Sequence, residues 1–391
     1  MRNIYILHVG NYLLDPHSGV AQKSFALADA MRRTGRSVRL VAISERPIPQ
    51  VLPQFLDVYS TPKSNYWQEA DRFLSSLKSD DVVLFRYPFA SKDLLNLVEK
   101  FGRQIIFEHN TIEHAEMLLL QRAHFNRQPF SLRPSYVRYA LKTLVFNSTE
   151  ESDLGADILQ KVRGGVCVSH EIMRYECSRF SQYQTAVIAN GASVEAASSV
   201  IVPAIKDELR LVMLVGSDAV WHGYERLMRS LRKTVLSKRI RLLLVGMDRP
   251  SDFSWPTDIQ HTVEWTGRKS KSEVAEILKT CHVAVGTLAL YKKSMTEASP
   301  LKVRECLLMG LPVLLGYNDT DVSADNRFGP YVFQVSNDDA QIDLQAVVLW
   351  FEALSRDESH RQKISALATE TLSMDAKARR YIDFFDSVFD T

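Results

Sequence analysis

Between His282 and Gly316 the chain changes period twice, and that change limits what it can fold into. His282-Val283-Ala284-Val285-Gly286 is a short, β-branched apolar run of the kind that forms a buried parallel strand. A polar loop follows from Tyr291 to Ala298. Ser299 is an N-cap residue type and Pro300 is preset for a first helical turn, so a helix is expected to run to about Met309. Gly310 ends it and Pro312 bars its continuation. Pro312-Val313-Leu314-Leu315-Gly316 reads as the next strand. Strand, helix and strand in this order make a β-α-β unit, and such units take ligands at the carboxyl ends of their strands.

Two carboxylates frame the unit, Glu297 in the loop and Glu305 on the helix, with seven residues between them. Free N–H groups at a helix start attract anions. Lys302 and Arg304 lie in the first turns, where the helix dipole would favour acids. Cations set against the dipole suggest a bound anion; the alternative is a helix carrying ordinary surface cations.

Glu297-x7-Glu305 followed by Gly310-Leu311-Pro312-Val313 resembles the E-x7-E signature of retaining glycosyltransferases with the GT-B fold, in particular their large family 4. Ser299-Pro300-Leu301-Lys302-Val303-Arg304-Glu305-Cys306-Leu307 resembles a variant found in bacterial polysaccharide-assembly members. The resemblance implies that Glu297 contacts the donor sugar and Glu305 holds the nucleotide ribose. It also implies that backbone amides around Ser299 and Leu301 face the sugar and phosphates.

A chain of 391 residues suggests two domains of about 200 residues each. A net charge of +2 is too small for nucleic-acid binding over a whole surface. Cys167, Cys177, Cys281 and Cys306 form no C-x-x-C pair, and reduced structural thiols in a cytoplasmic protein are the expectation. The start of the chain lacks the apolar core of a signal peptide, and no stretch reaches membrane-spanning length.

Strands are expected at Ile4–Val9, Val38–Ile43, Val82–Phe85, Ile105–Phe107 and Val166–Val168, with helices between them, as in a doubly wound parallel sheet. Gly19 precedes a helix reaching Arg33, and the resemblance implies that its loop approaches the donor phosphates. The loop is not G-x-G-x-x-G, and the chain has no Walker motif. His109 follows the strand Ile105–Phe107. A histidine at a strand end commonly faces the donor sugar in family 4, so His109 is a candidate catalytic residue beside Glu297. Glu113 and His114 are close to it, but the spacing is not H-E-x-x-H and no third ligand is clear, so no metal site is expected.

From Arg122 to Lys142 five bases alternate with aromatics and no acid intervenes. This composition suits an anionic membrane surface or a lipid-diphosphate acceptor; the alternative is a solvated face. A linker is expected over residues 191–208, after an Ile188-x-Asn190-Gly191 joint that resembles the interdomain crossing of family 4. The second half begins with the strand Leu209–Val215, then Gly216-Ser217, and Trp221-His222-Gly223 leads into a helix from Glu225. Most family members carry an Arg and a Lys-Gly where this chain has Ser217-Asp218 and His222-Gly223, and those bases hold the diphosphate. His222, Lys292, Lys293 and Lys302 are candidate substitutes. Arg241–Val245 ends at Gly246, and Gly267-Arg268 resembles the turn beside the nucleobase. Ser270 and Glu273 form a capping box for the next helix.

The expectation is therefore an α/β protein of GT-B type, two Rossmann-like domains facing across a cleft: residues 1–190, the linker 191–208, residues 209–374, and a terminal helix 375–391 crossing back. The resemblance implies retaining transfer from a nucleotide-diphosphate sugar to a glycan or lipid-linked acceptor in bacterial cell-surface polysaccharide synthesis. The chain would be cytoplasmic, peripheral on the inner face of the plasma membrane. No cofactor and no obligate metal are expected, because no convincing D-x-D site is visible and the helix start with nearby bases would stabilise the leaving diphosphate. The rival readings are a catalytically silent GT-B subunit partnering another transferase and a nucleotide-sugar epimerase.

Overall fold

The computed structural model describes the chain except residues 1, 14–17, 47–52, 120–136, 139, 142–148, 194–206, 217–218, 252 and 391. It divides into two compact units, Met1–Ala189 with Lys377–Thr391, and Asn190–Ala376.

The first unit is built on a parallel sheet of β1 Ile4–Val9, β2 Val38–Ser44, β3 Leu56–Ser60, β4 Val82–Arg86, β5 Ile105–His109, β6 Gly164–Cys167 and β7 Thr185–Val187. Their order across the sheet is β3-β2-β1-β4-β5-β6-β7. The central strands are apolar on both faces because helices cover both. Leu7, Val41, Ile43, Val83, Phe85, Ile105 and Phe107 form one continuous core with Phe73, Leu94, Ile158 and Leu159 of the packed helices. The terminal helix Met374–Phe389 belongs to this unit from Lys377 on, and its Tyr381 hydroxyl donates to Glu108 at 2.7 Å.

The second unit repeats the plan with β8 Glu208–Leu214, β9 Arg239–Val245, β10 Thr262–Trp265, β11 Val283–Val285, β13 Val313–Leu315 and β15 Val332–Gln334, ordered β10-β9-β8-β11-β13-β15. A separate two-stranded pair joins β12 Glu297–Ala298 to β14 Asn318–Asp319. Chain order reverses between β8 and β11. A reversal of this kind marks the strand ends at which open parallel sheets receive ligands.

Within the two large sheets, periodicity leaves β3, β7 and β15 unread, and all three are edge strands. They are half-buried and mix polar with apolar residues, so they lack the unbroken apolar run of a central strand. All four cysteines are free thiols, three of them buried.

Candidate functional site

Four glycines shape these strand ends in the second unit. Gly246 ends β9 at a φ of 107°, and a Cβ there would stand 2.5 Å from the carbonyl oxygen of Val215. Only glycine lets β8 and β9 close at this end. Gly223 takes a left-handed conformation to start the helix Tyr224–Lys233, and a Cβ on it would stand 2.9 Å from Ala289. The loop before it is clamped to the loop after β11. The amide of Leu288 donates to the His222 carbonyl at 2.9 Å, and that of Ala289 donates to Trp221 at 3.2 Å. Gly267, also left-handed, accepts at 2.9 Å from the amide of Gly246, which brings the turn after β10 to the end of β9. Arg268 beside it is exposed.

Gly216 follows β8 and is exposed. The Lys302 ammonium lies 3.2 Å from where a Cβ on Gly216 would sit, so the bare backbone admits this side chain. Lys302 thus reaches from the helix Leu301–Leu308 to the end of β8, at the reversal of strand order. Burial lowers its pKa to about 8, against the opposing charge of Glu305. Burial likewise raises the Glu305 carboxyl, which Lys271 and Lys302 partly offset.

The helix begins one residue later than its sequence suggests. Pro300, not Ser299, occupies the cap position, and no side chain caps the helix start. The Ser299 hydroxyl instead accepts from the amide of Asn190 at 2.7 Å, and the Asn190 side chain donates to the Ser299 carbonyl at 2.6 Å. Ser299 is spent on holding Asn190, while the first-turn amides from Leu301 onward keep no side-chain acceptor.

Arg304 corrects the reading of two helix cations facing an anion. It is fully buried and grips Asp319 through both terminal nitrogens, with Asp321 at 3.3 Å. Its Nε donates to the Asn190 carbonyl at 3.0 Å. The carboxylates of Asp319-Thr320-Asp321 are thereby turned onto an arginine. Nothing in the sequence links Arg304 to a residue fifteen positions on; the pairing exists because β14 lies beside β12.

Glu297 lies on β12, buried, its backbone in register with Asn318. Lys293 stands over the Trp221 ring, 4.8 Å from its centroid, so this ammonium is joined to the Trp221-His222 loop. Ser217 lies outside the described residues. So does most of the basic, aromatic run 122–142, of which Val137, Arg138, Ala140 and Leu141 are described.

In the first unit Gly19 is the first residue of the helix Gly19–Arg33, and the Ser18 hydroxyl before it caps the amide of Ala21 at 3.2 Å. His109 departs from expectation. It is the last residue of β5 rather than part of a loop, because its carbonyl continues the sheet by accepting from Val168 at 3.1 Å. Its side chain is wholly buried, with Nδ1 3.1 Å from Glu113 and Nε2 3.1 Å from the Tyr183 hydroxyl. The ring is enclosed in this structure and has no exposed face. Glu108 beside it is held at about 2: burial would raise its carboxyl, but Lys23 at 2.8 Å and then Arg86 outweigh that.

Residues 210–344 match the family model Glycosyl transferases group 1. No curated protein matches the chain. Among solved structures, a glycosyltransferase from Rickettsia africae is similar at a TM-score of 0.62 and 11% identity, over 100% of this chain and 99% of that one. HepE from Anabaena, in complex with UDP-glucose, is similar at a TM-score of 0.58 and 12% identity, over 99% of this chain and 100% of its own. The lipopolysaccharide outer core galactosyltransferase WaaB, in its apo form, is similar at a TM-score of 0.58 and 10% identity, over 99% of both chains. At such identities the likeness establishes the fold: the chain has the GT-B architecture of two Rossmann-like domains. The family match falls within the second unit.

Proposed function

We propose that the chain is a retaining glycosyltransferase that moves a sugar from a nucleotide-diphosphate donor to a glycan or lipid-linked acceptor in bacterial cell-surface polysaccharide synthesis. One observation carries this reading: the partly buried Lys302 ammonium beside Gly216, at the reversal of strand order, next to an uncapped helix start. That arrangement suits a diphosphate. It also answers the loss of the Arg and Lys-Gly that family members place after β8, since a lysine from the neighbouring helix reaches the same strand end.

In this reading Glu305 accepts from the ribose hydroxyls and Glu297 from the donor sugar. Gly246, Gly267 and Arg268 border the nucleobase, and His222 and Lys293 flank the diphosphate with Lys302. The slow step is departure of the diphosphate as positive charge grows on the anomeric carbon. Lys302 and the amides from Leu301 onward lie where the leaving charge would collect, and pre-set charges of this kind act on the transition state without reorganisation. They would serve without a metal bridging the diphosphate. HepE binds UDP-glucose, so uridine-linked sugars are the first donors to test.

Incubation with a panel of nucleotide sugars and a lipid-linked acceptor mixture, with product anomers assigned by NMR, tests the proposal. Transfer with retained configuration is expected. Inverted product would remove the retaining mechanism. A donor epimerised without an acceptor would make the chain an epimerase. Nucleotide binding without turnover would favour a silent subunit, a reading that draws on Ser217-Asp218 and His222 standing where most members carry bases.

A further inference from the structure

The enclosed cluster around His109 is not explained by packing alone. His109 ends β5, Glu113 starts the helical residues 113–119, and Glu176 comes from the helix His170–Arg179. All three are buried, at 0%, 3% and 0% exposure.

Their hydrogen bonding has a deficit of donors. The Tyr183 hydroxyl gives its proton to the Gly164 carbonyl at 3.0 Å, so toward His109 Nε2 it can only accept, and Nε2 carries the proton of the neutral ring. Nδ1 is then a bare lone pair, yet it stands 3.1 Å from Glu113 Oε1 and 3.7 Å from Glu176 Oε1. The other contacts do not help. Glu113 Oε2 and Glu176 Oε1 are buried without a hydrogen-bond partner, while Glu176 Oε2 is held by Arg179 at 2.9 Å. With both carboxylates ionised, three acceptors converge and nothing donates between them.

Charge leads the same way. Were all three ionised, Glu113, Glu176 and Glu151 would carry three negative charges against the one positive charge of Arg179, which bridges Glu176 and Glu151. Burial resists that excess of negative charge and pushes the Glu113 and Glu176 carboxyls each up to about 8, so an ion here displaces their protons.

We propose that His109, Glu113 and Glu176 form a buried site for one divalent transition-metal cation, bound by imidazole Nδ1 and an oxygen from each carboxylate. Ligand atoms from the three residues lie within 4.8 Å of one another. Metal–ligand bonds of about 2.0–2.2 Å give tetrahedral ligand–ligand edges of roughly 3.3–3.6 Å, and the measured 3.1 and 3.7 Å fall on either side. A divalent ion cancels the residual charge. Without an ion, the same contacts would have to be met by protons on Glu113 and Glu176, whose carboxyls burial raises to about 8. One imidazole with two carboxylates suits zinc, manganese, iron or cobalt better than calcium or magnesium, which prefer all-oxygen sets. Tyr183 on Nε2 and Arg179 on the far oxygen of Glu176 are the outer partners that fix such ligands in place. The ion would tie β5 to the helix His170–Arg179; it is independent of the donor chemistry of the second unit.

The test uses the full chain. Metal content is measured by mass spectrometry on protein purified without added metal. The chain is then unfolded with chelator, refolded, and melted alone and with Zn²⁺, Mn²⁺ or Co²⁺. Expected are a stoichiometric metal in the purified chain, or a raised Tm with one of these ions, and loss of both in Glu113→Gln and Glu176→Gln. Cobalt should give a visible absorption band in the wild type that His109→Gln alters. No metal and no Tm response in well-folded wild type would overturn the proposal and leave protons as the occupants. Metal retained by both glutamine variants would place it elsewhere and overturn it as well.

Discussion

Arg304 and Asp319 close on each other inside the second unit, both side chains at 0% exposure, with Arg304 Nη2 at 2.7 Å from Asp319 Oδ1. The pair fastens the helix Leu301–Leu308 to β14, and so fixes where Lys302 points. Asp319→Asn leaves the guanidinium short of a buried counter-charge, a change that costs about 3–5 kcal/mol. Urea unfolding should show that loss while Lys302→Met shows little; equal stability of Asp319→Asn and wild type would mean that water reaches the pair.

Lys302→Met should weaken nucleoside-diphosphate binding by roughly 10–100-fold, the scale of one charge-assisted contact. The pH dependence follows from its lowered pKa of about 8. In the free protein the ammonium is lost as pH rises through about 8, so affinity should fall above that pH in wild type and stay level in Lys302→Met. The sign for stability is opposite. The fold disfavours the charged lysine, so wild-type stability should rise between pH 8 and the unfolded value of 10.5, because the unfolded chain binds more protons there. Calorimetric titrations at pH 7 and 9 check the first statement; a flat wild-type profile would take Lys302 out of the diphosphate site.

Glu305→Gln should cost about 1.5–3 kcal/mol in nucleotide affinity, since a ribose diol loses a charged acceptor. The same variant should bind free inorganic pyrophosphate unchanged, because that ligand has no ribose. Parallel loss of both affinities would assign Glu305 to the phosphates.

Gly246→Ala should destabilise the second unit by more than about 1 kcal/mol, because its φ of 107° and the carbonyl of Val215 both exclude a Cβ. Thermal unfolding gives the answer directly. An unchanged melting temperature would show that β8 and β9 can part at this end.

Replacing Arg127, Arg133 and Arg138 together by Gln should reduce pelleting with anionic vesicles, at about 1 kcal/mol per base near the surface. Nucleotide binding should be untouched. Equal pelleting of both proteins would make the run 122–142 a solvated face.

Much of this protein is legible in its sequence. Central strands such as Ile4–Val9 and Arg239–Val245 announce themselves because burial on both faces makes most of their side chains apolar. The Ser270–Glu273 capping box formed as read, since a cap depends only on residues within one turn. The glycines that must be glycine, and the spacing of Glu297 from Glu305, are likewise properties of a short stretch.

What sequence could not decide was which charges meet. Lys302 and Arg304 look equivalent along the helix, two residues apart. Tertiary structure sends one to Gly216 at the strand crossover and buries the other on Asp319. His109 reads as a strand-end residue free to reach a ligand, but the ladder to Val168 extends the strand and the helix His170–Arg179 covers it with Glu176. Periodicity reports whether a position is buried in its own element. The partner of a buried charge is chosen by residues far along the chain, because its desolvation must be repaid wherever an opposite charge or a donor happens to pack.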